Sequence, residues 1–551
     1  MIARTFLVLA LSLPAAAQQI CLAEGTATSL QITTIDESNP NGPGTVVLQD
    51  VEFLPIELTG RTLAREHDAT RARRIERNGL LRIELPDGGR VLRYRRVGGQ
   101  FWGFLHVARD GSARVVLEQA GLPGNVDPFM DRVAIADDGA HGAVGLLAGG
   151  MFVFKLDGTV YPSTGRPDRL VVAAPKEVEP TGVMVGPTHV FYATDDEEIF
   201  RCSLADGAVP FDLTPPPVPN VRIGGELAMS RDGQHVVFLY GPQHLQQLWH
   251  AGTVGAATLL PPPAAKYEDP NYLPEGNGGP AMLLNDDGTR LFFVDASLRD
   301  ELYLLDLQGT LPTLHVTDDP IFEPYIGVYI LPKFDGNNLL IAIGDLNRMD
   351  WYRSGLSASG GTVQNLTATG TVTQPYFPGT LDPRAAADAG NELFVLEQRQ
   401  GGVDLRRLDV ATGSSTVVQQ GASLTLGVGT ALTGPADILV SGSGGDRLYV
   451  GGSHQPFATT PAGIAMTVPS QGIFAATWVH LQNNFGVPVF YLPDGTLLPG
   501  AFGQGRPQIA MTAADGVVID DGTLRYIALG VDVVVQRPPA AVRLVLSGAG
   551  V

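Results

Sequence analysis

Clusters of carboxylates recur along the sequence: Asp137-Asp138, Asp195-Asp196-Glu197-Glu198, Asp286-Asp287, Asp318-Asp319 and Asp520-Asp521. Such clusters can bind Ca²⁺, which takes roughly six to eight oxygen ligands. An Asp beside Gly also suits a tight turn, because its carboxylate caps the backbone and the residue tolerates left-handed conformations. We therefore predict turns for the acids that lie in Asp-Gly steps. A Ca²⁺ site in these clusters is the alternative, and the sequence assigns no other cofactor.

The ten histidines are scattered, and the nearest trio is His235, His244 and His250. A metal site assembled from separate repeats leaves no local signature, so their spacing does not assign one. A structural role is the better prediction for each of them. The sequence also lacks the Gly-x-Ser-x-Gly, His-Glu-x-x-His, Cys-x-x-Cys and Gly-x-x-x-x-Gly-Lys-Ser/Thr motifs. No catalytic residue is therefore assigned.

Aromatic and cationic residues are concentrated in two sets of loops. The first set contains prolines, acids and aromatics, at 261–279, 318–325 and 371–383. The second set supplies a His or an Arg from each loop, at 241–246, 296–301, 345–351 and 398–402. Residues of these types dominate recognition surfaces. The candidate binding residues are Tyr267, Tyr272, Phe322, Tyr325, Tyr376, Phe377, His244, Arg299, Arg348 and Arg399.

A repeated pattern determines which elements carry these loops. Residues 229–240 read MSRDGQHVVFLY, and residues 284–295 read LNDDGTRLFFVD. Turns comparable to Asp287-Gly288 occur about 45 to 55 residues apart, as expected for repeated supersecondary units. They lie at Asp138-Gly139, Pro187-Thr188, Asp232-Gly233, Asp335-Gly336, Gly390-Asn391 and Gly445-Asp446. The sequence therefore contains seven units.

Short apolar runs follow these turns: HVFYATD (189–195), HVVFLYG (235–241), RLFFVDA (290–296), NLLIAIG (338–344), ELFVLEQ (392–398) and RLYVGGS (447–453). Their β-branched and aromatic residues predict strands, and the runs are too short for helices. A loop and further strands follow in most units, as in DELYLLDLQGTLPTLHVT (300–317), which gives four strands per unit.

A single four-stranded sheet of this size cannot bury both of its faces, whereas several sheets packed around an axis can. The pattern therefore predicts an all-β protein, a β-propeller of seven or eight four-stranded blades over residues 126–551. A string of β-sandwich modules would need about 100 residues per repeat, roughly twice the observed period.

The unit MLLNDDGTRLFFVDASLRDELYLLDLQGTLPTLHVT (282–317) resembles the TolB-type β-propeller repeat, also called PD40 or WD40-like. That repeat has a polar Asp-Gly turn, an aromatic strand, an Ile/Leu-Tyr-x-x-Asp strand and a closing Leu-Thr. The resemblance covers roughly residues 126–450 and is best at 226–317 and 383–418. It implies the propeller fold. It leaves the function open, because such propellers serve as binding platforms and as parts of enzymes.

Both sets of loops are predicted to leave the same face of the propeller. In a four-stranded blade, the loop between the second and third strands and the connection to the next blade emerge together. The ten candidate residues would then share the rim of the central channel. An alternative is equally compatible with the sequence: the prolines and aromatics only pack one blade against the next.

The regions that flank the repeats have different patterns. Residues 18–125 form a small β-rich region, with two hairpins predicted at 78–96 and 101–119. This region is rich in arginines: Arg61, Arg65, Arg71, Arg73, Arg74, Arg77, Arg82, Arg90, Arg93, Arg95 and Arg96. We expect them to dock against the acidic remainder of the chain, with anion or partner binding as the alternative. After residue 450, runs at 473–481, 487–500 and 524–538 predict an elaborated seventh unit and an eighth.

The N-terminal residues have the order of a secretory signal. Arg4 precedes an apolar run from Phe6 to Leu13, and Ala15-Ala16-Ala17 follows, so residues 1–17 predict a signal peptide cleaved after Ala17. The apolar run is too short to span a bilayer, and the expected location is periplasmic or secreted.

Export would permit a disulfide between Cys21 and Cys202, the two cysteines of the chain. A buried Cys202 with a disordered Cys21 is an equal alternative. A lipidated Cys21 is a minor one, because Gln18-Gln19-Ile20 lacks the small residues expected before such a cysteine.

The formal charge of −20 repels phosphate backbones and anionic lipids, so nucleic acid is not an expected partner. These observations favour an exported scaffold whose partner is a protein or an extracytoplasmic ligand, and an enzyme is the less favoured class. The enzyme alternative is a metal-assisted hydrolase, a lactonase or a carbohydrate lyase with its site at the channel mouth. A structural surface protein without a small ligand is a third alternative.

Overall fold

The computed structural model describes residues 19–26, 28–59, 72–77, 80–99, 101–120, 132–146, 150–171, 178–194, 198–216, 221–242, 247–260, 282–295, 301–316, 328–344, 349–366, 374–375, 386–388, 392–399, 402–409, 412–421, 424–428, 438–442, 447–450, 453–456, 465–467, 475–481, 485–491, 508–511, 517–520, 523–528, 531–537, 540, 542–546 and 549–550. Within these ranges the protein is all-β and contains several four-stranded antiparallel sheets.

Sheet 1 contains nine strands and combines both ends of the sequence. Its strands are Gln19–Thr26, Ser29–Asp36, Thr45–Leu54, Arg73–Arg77, Leu80–Glu84, Arg90–Arg96, Phe101–Val107, Ala113–Ala120 and Val542–Val545. The predicted hairpins pair across Asp87-Gly88 and Asp110-Gly111, where both glycines have positive φ. Val542–Val545 pairs antiparallel with Gln19–Thr26, so the two ends of the described chain meet in this sheet.

Sheets 2 to 6 follow one another along the chain. Sheet 2 contains Arg132–Ile135, His141–Gly145, Met151–Lys155 and Asp168–Val171, with Glu57–Leu58 added parallel at its edge. Sheet 3 contains Val178–Val185, His189–Thr194, Ile199–Ser203 and Phe211–Asp212, and sheet 4 contains Val221–Met229, His235–Pro242, Gln247–Gly252 and Thr258–Leu259. Sheet 5 contains Met282–Leu284, Arg290–Asp295, Glu301–Asp306 and Leu314–His315, and sheet 6 contains Val328–Asp335, Asn338–Gly344, Met349–Ser357 and Gly360–Asn365.

Sheets 7 to 10 complete the described strands. Sheet 7 contains Gln374–Pro375, Ala386–Asp388, Glu392–Arg399, Gly402–Asp409 and Ser414–Gly421, and sheet 8 contains Leu424–Val428, Ile438–Gly442, Arg447–Val450 and Ser453–Pro456. Sheet 9 contains Ala465–Thr467, Ala475–Leu481 and Phe485–Tyr491. Sheet 10 contains Gln508–Met511, Val517–Asp520, Leu524–Ala528, Val531–Val534 and Ala549–Gly550.

The six apolar runs predicted as strands are strands in the structure. Five of the seven repeat turns lie before the second strand of their repeat unit, and Gly390-Asn391 precedes Glu392–Arg399, which pairs with both Gln374–Pro375 and Ala386–Asp388. The seventh, Gly445-Asp446, differs: it precedes Arg447–Val450, the third strand of sheet 8, because Leu424–Val428 adds a strand before Ile438–Gly442.

Successive sheets pack face to face. In the strand His235–Pro242, Val236, Phe238 and Tyr240 pack with residues of sheet 3, whereas Val237 and Leu239 pack with residues of sheet 5. Further apolar clusters join sheet 1 to sheet 2, sheet 2 to sheet 3, and sheet 5 to sheet 6. Burial on both faces explains why these strands are continuously apolar. Each fully buried Val, Leu or Phe contributes about 1.5–3 kcal/mol to this packing.

Sheet 10 packs on sheet 1. Ile20, Leu22 and Ile35 of sheet 1 share an apolar cluster with Leu524 and Tyr526. The Tyr526 hydroxyl donates to Glu37 Oε1 at 2.6 Å. Glu24 Oε2 accepts from Arg537 Nη2 at 2.6 Å, and Glu24 Oε1 accepts from Arg543 Nε at 2.8 Å. The last described strands are therefore fastened to the first by apolar and ionic contacts together.

Both cysteines are free and buried, and they belong to different apolar clusters. Cys21 is paired within the strand Gln19–Thr26, so it is ordered and inaccessible, which does not suit a lipid anchor. Burial raises the pKa of Cys21 to about 12 and also raises the pKa of Cys202, so both thiols are poor nucleophiles.

Candidate binding face

Each four-stranded sheet has two different ends. The turn end carries the connections from the first to the second strand and from the third to the fourth. The loop end carries the connection from the second to the third strand and the chain that leads to the next sheet. Because consecutive strands are antiparallel in sheets 3 to 6, the two kinds of connection alternate strictly. In each of these sheets, the connection between the second and third strands and the connection to the next sheet therefore leave from the same end.

At the turn end, the conspicuous Asp residues are used by the backbone. Asp138, Asp232 and Asp287 each accept a hydrogen bond from the backbone N–H two residues later, at 2.9, 2.9 and 3.0 Å. The glycines that follow them have φ values of 69°, 67° and 67°, a conformation that glycine adopts at little cost. The Thr289 hydroxyl also donates to Asp287 and lowers the pKa of that carboxyl. These acids are turn residues, as predicted.

The turn ends of neighbouring sheets touch each other. Asp232 N donates to Asp286 O at 3.2 Å, between sheets 4 and 5. Asn285 Nδ2 donates to Gly336 O at 3.3 Å and to Asn337 Oδ1 at 3.1 Å, between sheets 5 and 6. A Cβ added to Gly186 would lie 2.7 Å from the Cα of Gly233, between sheets 3 and 4. The turns therefore pack as a continuous row across sheets 3 to 6.

The Asp of the Leu-Tyr-x-x-Asp strand is structural as well. The Asp306 side chain is fully buried and pairs with Arg290 across the hairpin. Its other oxygen accepts from Thr310 N, Thr310 Oγ1 and Leu311 N at 2.7–2.9 Å. Burial alone would raise the pKa of Asp306, but these hydrogen bonds outweigh it and hold the pKa below its usual value. This carboxylate fixes the turn between the third and fourth strands of sheet 5.

Polar side chains also join neighbouring sheets near their outer strands. Arg169 Nη2 of sheet 2 donates to Ser203 O of sheet 3 at 2.7 Å. Arg201 Nη1 of sheet 3 donates to Gly252 O and Gly255 O of sheet 4 at 2.7 and 3.0 Å. The Arg201 guanidinium lies 4.8 Å from the ring centroid of Phe211. These arginines therefore hold consecutive sheets together.

Nine of the ten predicted binding residues can be placed only by the described strands that flank them in the sequence. His244 and Arg299 lie between the second and third strands of sheets 4 and 5, and Arg348 lies at the equivalent place in sheet 6. Tyr267 and Tyr272 lie between sheets 4 and 5, Phe322 and Tyr325 between sheets 5 and 6, and Tyr376 and Phe377 between two strands of sheet 7. These nine residues are outside the described part of the chain, so their side-chain positions stay predictions.

Arg399 is the one candidate whose backbone is described. It ends the strand Glu392–Arg399 and pairs with Gly402, at the loop end of sheet 7.

In sheets 3 and 4, described residues show how the loop end is built. The Tyr240 hydroxyl donates to Pro215 O at 3.3 Å, and the Tyr240 ring contacts Trp249 edge to face at 6.4 Å. An aromatic pair therefore supports the strand ends from which residues 243–246 leave.

Two histidines of the predicted trio are in contact. His235 Nδ1 and His250 Nε2 lie 3.0 Å apart on neighbouring strands of sheet 4. The sequence places them 15 residues apart, and only the register of the hairpin brings them together. The pKa of His250 is lowered to about 4, chiefly by burial and to a smaller extent by the neighbouring His235.

Sequence reasoning gave no role to three other histidines with lowered pKa values. Burial is the largest cause for His106, His141 and His189. Arg114 adds to the effect at His106, and Arg201 adds to it at His189. A histidine inside an apolar strand was the only available signal, and it does not distinguish a core residue from a functional one.

The arginines of the N-terminal region pair within their own sheet. Arg96 forms two hydrogen bonds of 3.0 Å with Glu118, and Arg95 pairs with Glu52. Arg82 pairs with Glu84 at 3.3 Å, Arg93 donates to Pro55 O, and Arg90 donates to Leu546 O. The expectation that the arginines dock against the acidic remainder of the chain is therefore wrong for Arg95 and Arg96, whereas Arg90 does reach that remainder at Leu546 O. The ladder of sheet 1 already places Glu52, Glu84 and Glu118 beside them.

Within the part of the chain that the structure describes, no three His, Cys, Asp or Glu side chains are grouped closely enough to hold a metal ion. Among the same residues, no helix has the length and apolar character needed to cross a membrane.

No protein-family model matches the chain, and no curated protein matches it in sequence. Solved structures resemble it at low identity. Dihydro-heme d1 dehydrogenase NirN is 14% identical, with a TM-score of 0.31 over 73% of each chain. Prolyl oligopeptidase B from Galerina marginata is 10% identical, with a TM-score of 0.34 over 78% of this chain and 56% of its own. TolB from Acinetobacter baumannii is 10% identical, with a TM-score of 0.24 over 64% of this chain and 79% of its own. These matches assign no activity to the chain.

Proposed function

We propose that this protein is an exported, TolB-like β-propeller that binds a protein or an extracytoplasmic ligand through its loop end. In this proposal sheets 2 to 9 are the blades. Residues 18–125 form a flanking β region to which sheet 10 and Val542–Val545 attach. The export assignment rests on the signal pattern of residues 1–17.

One observation carries the proposal. Both faces of sheets 3, 4 and 5 are buried against neighbouring sheets, and Asp232 and Asp287 at the turn ends of sheets 4 and 5 are bonded to backbone groups. The sequence concentrates aromatics and arginines in the loops, and these residue types dominate recognition surfaces. This distribution supports a binding role for the loop end.

The test is partner capture by a loop-end variant. Tyr325→Ala combined with Arg348→Ala should abolish capture from the exported fraction while the melting temperature stays within a few degrees of wild type. The matched control is Val209→Ser with Val254→Ser, because these side chains are 80% and 81% exposed at the turn end. Capture that survives in the loop-end variant, or is lost in the control, would contradict the proposal.

The enzyme alternative is tested separately. Metal content of the purified protein and thermal melts with chelator, Ca²⁺ or Zn²⁺ would reveal a bound ion through its stabilising effect. A near-stoichiometric metal with a chelator-sensitive melt would favour a metal-assisted reaction at the channel mouth. A melt that is insensitive to chelator and to added metal supports the binding scaffold.

A further inference from the structure

The contact between His235 and His250 has the geometry of a single hydrogen bond. His250 is opposite Val237, two residues from His235, so both rings are on the same face of sheet 4. The ring centroids are 5.1 Å apart and the ring planes differ by 18°. If the two nitrogens lay on the line between the ring centroids, the centroid separation would be the 3.0 Å nitrogen–nitrogen distance plus the two ring radii. The observed separation is only slightly smaller, so the nitrogens point at each other. A chelated metal would instead require the two lone pairs to converge on a third point.

The pair also lies against sheet 5. A Cβ added to Gly288 would be 2.3 Å from His235 Cδ2, so the His235 ring rests directly on the turn of the next sheet. The same turn receives the hydrogen bond from Asp232 N to Asp286 O and the 3.7 Å ion pair between Arg231 and Asp286. A movement of the His235 ring therefore disturbs the junction between sheets 4 and 5.

Charged and titratable groups of the three sheets that pack here are Arg231 and Asp232 of sheet 4, Asp286, Asp287 and His315 of sheet 5, and His189 and Arg201 of sheet 3. Asp232 accepts from Gln234 N, Asp287 accepts from Thr289, and Asp286 pairs with Arg231. Arg201 donates to Gly252 O, next to His235 in the ladder. His189 is bonded to Thr188, and His315 stacks on Tyr303 at 4.4 Å.

The protonation states of such a pair follow from the donor and acceptor properties of imidazole. With both rings neutral, one N–H donates to the other ring's nitrogen. One added proton keeps that bond, because an imidazolium still donates to a neutral ring. A second added proton leaves two N–H groups facing each other and two like charges in contact, which breaks the bond.

We propose that His235 and His250 form a proton-linked latch within sheet 4 that holds the His235 ring against the turn of sheet 5, closed with one added proton and opened by the second. The sign of the pH effect follows from burial. The lowered pKa of His250 means that the unfolded chain binds this proton more tightly than the folded one. The latch therefore stabilises the junction fully above the ordinary histidine pKa of about 6.5. That stability is lost as the pH falls towards about 4.

Hydrogen exchange of the full chain between pH 7 and pH 4, corrected for intrinsic rates, tests the latch. We expect protection of His235–Pro242 and Arg290–Asp295 to fall at least tenfold, and to fall less in Met349–Ser357 of sheet 6, a strand without histidine. His250→Gln keeps an amide that can bond His235 without titrating, so it should remove most of this pH dependence. His189→Gln is the matched control, because His189 has a lowered pKa but bonds to Thr188, and the fall in protection should stay larger in His235–Pro242 and Arg290–Asp295 than in Met349–Ser357.

Equal protection of the wild-type strands at pH 7 and pH 4 would overturn the latch, as would an unchanged profile in His250→Gln. If that variant does not fold, selective ¹⁵N-histidine NMR of the wild type decides. Two coupled titration steps of His235 and His250 support the latch, and two independent steps overturn it. Stoichiometric binding of Zn²⁺ or Ni²⁺ that requires His250 would also overturn it, because the nitrogens would then serve a metal.

Discussion

The turn end and the loop end of the sheets differ in how their polar side chains are used. At the turn end, Asp232 and Asp287 are bonded to their own backbone, and Asn285 bridges to the next sheet. The predicted binding residues Tyr267, Tyr272, Phe322 and Tyr325 instead occur in two long connections, 261–281 and 317–327. The most conspicuous sequence motifs are therefore structural, and recognition is expected from the less regular segments. Four predictions test this difference between the two ends.

The largest effect is expected at Asp306. Asp306→Ala should cost about 3–5 kcal/mol of unfolding free energy, because it leaves Arg290 without its buried partner. Chemical denaturation measures this cost. Asp212→Ala is the control: Asp212 is exposed and accepts a hydrogen bond from Thr214 N at 2.8 Å, so its loss should cost about 1 kcal/mol. Equal costs for the two variants would show that Asp306 is not a structural centre.

Substitutions of two glycines in sheet 5 distinguish the cost of backbone strain in a turn from the cost of a steric clash between turns. Gly288 and Gly309 both have φ of 67°, but a Cβ on Gly288 meets His235 whereas a Cβ on Gly309 has open space around it. Gly309→Ala should cost about 1 kcal/mol from backbone strain, and Gly288→Ala should cost at least about 2 kcal/mol. Thermal melts with denaturant titrations would compare them. An identical loss of unfolding free energy in the two variants would show that the contact between the turns does not stabilise the protein.

The pH dependence of global stability is the third prediction. Burial lowers the pKa of His106, His141 and His189, so the unfolded chain takes up protons at these sites first. Stability should therefore fall as the pH drops below about 6.5, and His106, the most deeply buried of the three, should contribute most to the loss. His106→Gln should flatten part of this slope. A stability that is constant from pH 7 to pH 5 would contradict buried neutral histidines.

The smallest stability effect is expected at the loop end. Tyr325→Ala with Arg348→Ala should change the unfolding free energy by no more than about 0.5 kcal/mol, as for surface residues outside packed contacts. Urea titration of the double variant and the wild type gives the number. A loss above about 2 kcal/mol would mean that these residues pack one sheet against the next, which is the alternative that the sequence left open.

The strands and Asp-Gly turns were predictable because their signals are local. HVVFLYG and RLFFVDA contain the uninterrupted apolar stretches 236–240 and 291–294, as strands buried on both faces require. The contact between His235 and His250 was not predictable, because it depends on the register of a hairpin with a loop of unknown length. The pairing of Val542–Val545 with Gln19–Thr26 joins distant ends of the chain and has no local signal at all. The ion partners of Arg95 and Arg96 also depend on strand order.

The most direct test of the binding role compares the two ends of the same molecule. A photo-crosslinking p-benzoylphenylalanine is placed at Tyr325 in one sample and at Val254, 81% exposed at the turn end, in another. Each protein is irradiated in the exported fraction, and the adducts are identified by mass spectrometry. The account predicts a discrete adduct from position 325 and none from position 254. The same adduct from both positions, or an adduct from position 254 alone, would contradict it.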